Sequence, residues 1–183
     1  DQLYRWATGQ GGESVAAELA AAKSISRSTT FTRDTREKQF ILGTLRYLVE
    51  RVASTLRHEG KRARCVTVTV RYADFHTISR SRRVKQPVES DEAIFRLGTS
   101  LLEEPLRDRR AVRLIGIGVS ELAPSTQLSL MADEPERKES LADALDAVRR
   151  KYGYTALQTG RTFQLRGAFP SDERGYTLKT PSL

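Results

Sequence analysis

The chain has 183 residues, enough for one domain of ordinary size and an appendage, and a formal net charge of +8. Residues 1–22 hold one base and three acids, residues 23–122 hold 21 bases and 12 acids, and residues 123–183 hold nine and eight; the positive field therefore sits in the central block, where a polyanion would dock. The single cysteine, Cys65, excludes an intrachain disulfide and a cysteine-type zinc site, and no signal peptide or run of about 18 apolar residues is present, so a soluble, intracellular, cytoplasmic chain without a membrane partner is expected.

The opening DQLYRWATGQGG does not begin with Met and reads as the end of something, so the chain is expected to be a fragment. Residues 1–8 suit a last helical turn closed by Gly9, Gly11 and Gly12. Glu13 to Lys23 is Ala-rich without an amphipathic stripe and suits a tether. Ser24 to Arg33 then reads as a strand with Ile25, Thr29 and Phe31 on one face. Asp34 or Thr35 is placed to cap a helix whose stripe is Ile41, Leu45, Leu48, Val52 and Leu56, ended by Gly60.

Residues 61–85, KRARCVTVTVRYADFHTISRSRRVK, read as a hairpin turning near Asp74, with eight Lys or Arg against that one acid. Val66, Val68 and Val70 alternate with Cys65, Thr67, Thr69 and Arg71, so one face is apolar and the other small, polar and basic. Such a face suits a phosphate backbone. Ser90 or Asp91 caps a second helix with Ile94, Leu97, Leu101 and Leu102 as its stripe, and Val112 to Leu122 is a last strand. The order β-α-β-β-α-β makes an α+β domain, a four-stranded sheet with both helices on one face and the other face open. Beyond it lie a short Pro-Ser-Thr linker, a helix over 136–151 with Leu141, Leu145 and Val148, and a Gly-, Thr- and Arg-rich tail from Thr155 that is expected to be partly ordered at best.

Catalytic patterns are missing from the sequence. His58 and His76 have no ligand-like spacing, and no phosphate loop, HExxH or GxSxG element occurs. Gly116-Ile117-Gly118 is an isolated GxG in an apolar strand and suits close backbone packing. Asp74 is alone on its hairpin, and Asp91 and Glu92 read as helix-start acids. No metal site and no catalytic residue is assigned.

Several segments, in order, carry a family resemblance: Lys23-Ser24-Ile25-Ser26-Arg27, Thr30-Phe31, Val68 to Phe75, Thr77 to Ser81, and Val112 to Ile117. Together they resemble the C-terminal little-finger domain of Y-family DNA polymerases, in the bacterial DNA polymerase IV branch, over residues 1–131 and more loosely to about residue 160. Leu3 to Gly9 is similar to the end of that family's thumb. The resemblance implies three parts: residues 1–22 as thumb end and linker, 23–122 as the DNA-binding domain, and 123–183 as a tail. It further implies that Ser24, Ser26, Arg27 and Ser28 on the first strand, and Thr77, Ser79, Arg80, Ser81 and Arg82 on the third, lie along phosphates of primer-template duplex. Strand amides, hydroxyls and guanidinium groups are apt donors there, and they position DNA without reading bases. The family's catalytic carboxylates and their magnesium belong to a palm upstream of the thumb, so this stretch is expected to bind DNA and not to polymerise. Translesion synthesis would be the activity of the parent, in a bacterial cytoplasm at the nucleoid.

Gln127-Leu128-Ser129-Leu130-Met131 resembles the pentapeptide that binds bacterial sliding clamps, with Met131 where Phe is frequent. In the competing reading, Leu128 and Leu130 pack under the 136–151 helix. Two alternative functions stand beside the leading one: a non-catalytic Y-family adaptor, and a ferredoxin-like RNA-binding module, which the Ser, Thr and Arg of the open face disfavour because RNA readers of that fold stack bases on aromatics.

Overall fold

The computed structural model describes residues 2–9, 22–125 and 136–179. A short helix, α1 (Gln2–Ala7), ends where Gly9 takes a φ of 75°. Then follow β1 (Ser24–Thr35), α2 (Lys38–His58), β2 (Lys61–Tyr72), β3 (Thr77–Val88), α3 (Asp91–Leu102) and β4 (Val112–Pro124). The β-α-β-β-α-β order stands as read. These four strands form one sheet with three antiparallel pairings, in the spatial order β1-β4-β2-β3, so β4 is inserted between β1 and β2.

Helices α2 and α3 lie on one face of this sheet. The α2 stripe Ile41, Leu45, Leu48, Val52 and Leu56 is buried against Val66, Val68, Val70, Ile115, Ile117 and Val119. Gly98 lets α3 approach closely: a Cβ there would lie 3.3 Å from Ile117 Cδ1 and 3.4 Å from Leu45 Cδ2. Ser90 caps α3, its Oγ accepting from the Ala93 N–H at 3.3 Å. The α2 start differs from expectation. Thr35 Oγ1 accepts from the Glu37 N–H at 3.1 Å, and Glu37 itself holds the capping position without a side-chain cap. Gly60, with φ 58°, closes α2 as read.

The largest difference concerns the C-terminal residues. Residues 153–179 form an ordered layer over the outer side of α2, with α5 (Gly160–Phe163) and a hairpin of β5 (Ser171–Asp172) and β6 (Gly175–Tyr176). Leu165, Phe169 and Tyr176 join the core, and Phe169 stacks on Phe40 at 5.7 Å between centroids. Gly43 admits this layer, since a Cβ there would meet the Arg161 carbonyl oxygen at 2.8 Å. The buried Tyr47 hydroxyl accepts the Tyr176 N–H at 2.8 Å, and Lys179 O accepts from Thr30 N–H at 2.9 Å on the edge of β1. Short elements of two to four residues carry no periodicity, which is why this layer left no pattern in the sequence.

Helix α4 (Glu136–Tyr152) is fastened to α2 and α3 by ion pairs. Arg57 reaches both carboxylate oxygens of Asp146, at 2.7 and 3.0 Å, and Asp91 Oδ1 at 2.8 Å. Arg149 Nη2 lies 2.9 Å from Glu50 Oε2, with both side chains almost fully enclosed. Burial pushes the Glu50 carboxyl above the usual range, and Arg149 and Arg46 pull it part of the way back.

Candidate nucleic-acid interface

Directly opposite residues of antiparallel strands present their side chains on the same face. The registers therefore string four rungs across the open side of the sheet: Ser24, Ser120, Cys65, Arg83; Ser26, Gly118, Thr67, Ser81; Ser28, Gly116, Thr69, Ser79; and Thr30, Leu114, Arg71, Thr77. Hydroxyls dominate the middle of this surface.

The two halves of the platform differ. On β2 and β3 the hydroxyls bond each other, Thr67 to Ser81 at 2.9 Å and Thr69 to Ser79 at 3.0 Å, and Arg71 Nε donates to Thr77 Oγ1 at 2.9 Å. On β1, Ser26 and Ser28 face Gly118 and Gly116 instead. A Cβ at Gly116 would sit 3.0 Å from the Ser28 Cβ, and one at Gly118 would sit 3.4 Å from that of Ser26. The GxG thus lowers the centre of the sheet, leaving an open trough of ≈ 440 Å³ along β1, β4 and β2. Its floor is backbone, the surface a phosphate chain can approach most closely.

Six of the nine expected contact residues fall on this face: Ser24, Ser26, Ser28, Thr77, Ser79 and Ser81. Arg27, Arg80 and Arg82 do not join them. Their registers, Arg27 with Ile117 and Val68, Arg80 with Val68, and Arg82 with Val66, put them on the helix side of the two edge strands. The cause is strand alternation, which sends neighbours to opposite faces. Arg80 forms a two-pronged pair with Glu104, both contacts 2.9 Å, and Arg82 reaches Ser100 Oγ at 3.4 Å. The bases within the four rungs are Arg71 and Arg83, the latter paired with Glu121. Both follow from the same alternation, as do Thr67 and Thr69.

The hairpin end of the platform is built from stacked cations. Arg110 lies 3.9 Å over the Tyr72 ring and pairs with Asp74. The His76 backbone N–H, donating to Asp74 Oδ1 at 3.1 Å, and then Arg110 hold the Asp74 carboxyl below its usual range. Gln127, Leu128, Leu130 and Met131 lie outside the described residues. Among the described residues no group of three or more His, Cys, Asp or Glu is placed to hold a metal ion. No helix among them is long and apolar enough to cross a membrane.

The geometry defines an α+β domain that covers one sheet face with helices and offers the other as a polar, basic platform. That fold is shared with solved Y-family polymerases. A Y-family DNA polymerase chimera superposes with a TM-score of 0.52 at 23% identity, covering 67% of this chain and 35% of its own. A post-insertion binary complex of Dbh DNA polymerase gives 0.50 at 23% identity over the same shares. Residues 22–131 match the impB/mucB/samB family C-terminal domain, and the chain belongs to that family. Similar relatives include the DNA polymerase IV of Dehalococcoides mccartyi, 43% identical over 150 residues, 81% of this chain and 38% of the relative. The DNA polymerase IV of Brucella melitensis is 34% identical over 169 residues, 88% and 37% respectively. The chain thus spans about two fifths of the length of the curated relatives it matches.

Proposed function

We propose that this chain is the DNA-gripping part of a DNA polymerase IV-like translesion polymerase, and that the open sheet face seats the phosphate backbone of primer-template duplex. The observation that carries the reading is the set of four rungs, small and hydroxyl-bearing around a glycine floor. Hydroxyls and strand amides donate to phosphate oxygens at close approach and leave base sequence unread, as a polymerase that accepts any template requires. Ser24, Ser26, Ser28, Thr77, Ser79 and Ser81 are the contacts, with Arg71 and Arg83 beside them. Arg27, Arg80 and Arg82 contribute charge from the edges of the sheet rather than contact. An RNA reader of this general shape would carry aromatics at the centre of the sheet, where this one has Gly116, Gly118, Thr67 and Thr69.

In the whole protein, polymerisation and its magnesium belong to the upstream palm, and the site of action is the bacterial cytoplasm at the nucleoid. Gln127, Leu128, Leu130 and Met131 tether the polymerase to a sliding clamp; their likeness to the clamp pentapeptide and their place between β4 and α4 support this. The DNA reading is tested by equilibrium binding of the chain to duplexes of unrelated sequence over a range of salt. With about four phosphates engaged, log K falls against log salt with a slope of about −3.6, alike for every sequence. Arg71→Ala flattens the slope by about one phosphate's worth, and Arg80→Ala by less. Salt-independent or sequence-selective binding would contradict the proposal.

A further inference from the structure

Phe75 combines two features that each cost stability. Its backbone sits at φ 64°, a region unfavourable for bulky side chains, and its ring is 65% exposed. Backbone strain of this kind persists where the surroundings over-determine it, and it gathers at binding sites. Here the turn is fixed by the Phe75 N–H donating to Tyr72 O at 3.0 Å and by the Asp74–His76 contact.

The surroundings of the ring are equally specific. Arg113 lies 4.4 Å from its centroid, and Arg113 Nη2 is held by Asp34 Oδ2 at 3.0 Å. The β2–β4 register slips between Arg71 and Tyr72, so that Val112 and Ile115 both enter the core. The slip leaves Arg113 and Leu114 turned to the open side, next to the rung of Thr30, Leu114, Arg71 and Thr77. One side of the Phe75 ring thus carries a fixed cation while much of the ring stays exposed, at the corner of the platform.

We infer that Phe75, backed by Arg113, is a stacking site for an unpaired nucleobase of the DNA strand that runs off the platform. The inference rests on the DNA reading above. Bases within a duplex have their faces covered by neighbours, so the ring is useless to paired DNA. An unpaired base presents a free π-face, and stacking on an aromatic holds any of the four without selecting sequence. Arg113 adds a cation–π contact from the far side of the ring and favourable charge for the adjoining phosphate. Duplex grip and single-strand capture then lie side by side on one surface, joined by Arg71 and Thr77.

The test uses the whole chain with Phe75→Asn, Phe75→Tyr and three DNA probes: a blunt duplex, and the same duplex with a single-stranded extension at a 5′ or a 3′ end carrying a fluorescent purine analogue. Asn is tolerated at positive φ, so Phe75→Asn removes the ring without straining the turn. The expected result is unchanged blunt-duplex affinity and a loss of about fivefold or more on one extended probe, with quenching of the analogue by wild type and Phe75→Tyr but not by Phe75→Asn. The probe that responds identifies which strand end is held. Equal affinity of Phe75→Asn and wild type for both extended probes would overturn the inference, as would an equal loss on blunt and extended DNA. Failure of wild type to bind the blunt duplex, with quenching retained, would instead sink the platform reading and leave the stacking site standing.

Discussion

Replacing Tyr47 by Phe removes one oxygen from the contact between α2 and the C-terminal layer. The Tyr47 hydroxyl accepts the Tyr176 N–H at 2.8 Å where both residues are buried. The same ring meets Tyr176 and Tyr154 edge-on, at 5.1 and 6.1 Å between centroids, and Phe preserves those contacts. What is lost is therefore the partner of one buried backbone donor, which costs about 1–3 kcal/mol. For a chain of this size each kcal/mol lowers Tm by roughly 2–4 °C, so a fall of about 2–12 °C is expected. Thermal unfolding measures the total, and amide hydrogen exchange at Tyr176 measures the local event: its N–H should lose protection while amides in β4 keep theirs. An unchanged Tm with Tyr176 still protected would refute the reasoning, because the C-terminal layer could not then depend on this bond.

Two further outcomes are expected. Burial holds the Glu50 carboxyl above its usual range, so the folded state carries a penalty for ionised Glu50 that is fully present above the raised pKa. That penalty is relieved as pH falls through the raised value toward the ordinary carboxylate value. Denaturant melts of wild type and Glu50→Gln should accordingly diverge in favour of wild type on acidification from neutrality, and a difference independent of pH would contradict this. At the clamp segment, Gln127→Ala combined with Leu130→Ala should abolish binding to a bacterial sliding clamp in a pull-down while leaving duplex affinity intact. Equal clamp binding by both proteins would show that the segment serves packing alone.

Much of the frame was legible in the sequence because it rests on simple periods. Ile41, Leu45, Leu48, Val52 and Leu56 mark the sheet-facing side of α2, and alternating valines mark β2. The other side of α2 was harder to read. Gly43, Tyr47, Glu50 and Ser54 recur at helical spacing and are all buried, yet none is a typical core residue. Glu50 and Ser54 face α4, whose Arg149 pairs with Glu50; Gly43 and Tyr47 are covered by residues 153–179, whose short turns and two-residue strands leave no period to detect. At the candidate interface the residue types were legible and the geometry less so. A run such as Ser79-Arg80-Ser81-Arg82 reads as one basic patch, whereas alternation divides it between two faces. The trough likewise depends on register, which sets Gly116 against Ser28 and Gly118 against Ser26 across strands far apart in sequence. Phe75 shows the remaining limit, since an exposed ring at positive φ is a property of the folded turn alone.

The central claim is that DNA lies on the open face of the sheet, over the glycine floor. Backbone amide chemical-shift mapping, with a blunt duplex titrated into the labelled chain, addresses it directly. The account predicts that the largest shifts fall on Ser26, Ser28, Gly116, Gly118, Thr67, Thr69 and Ser79, and that Tyr47, Glu50 and the rest of the outer side of α2 stay unmoved. Shifts concentrated on α2 and the C-terminal layer, with Gly116 and Gly118 unperturbed, would contradict it.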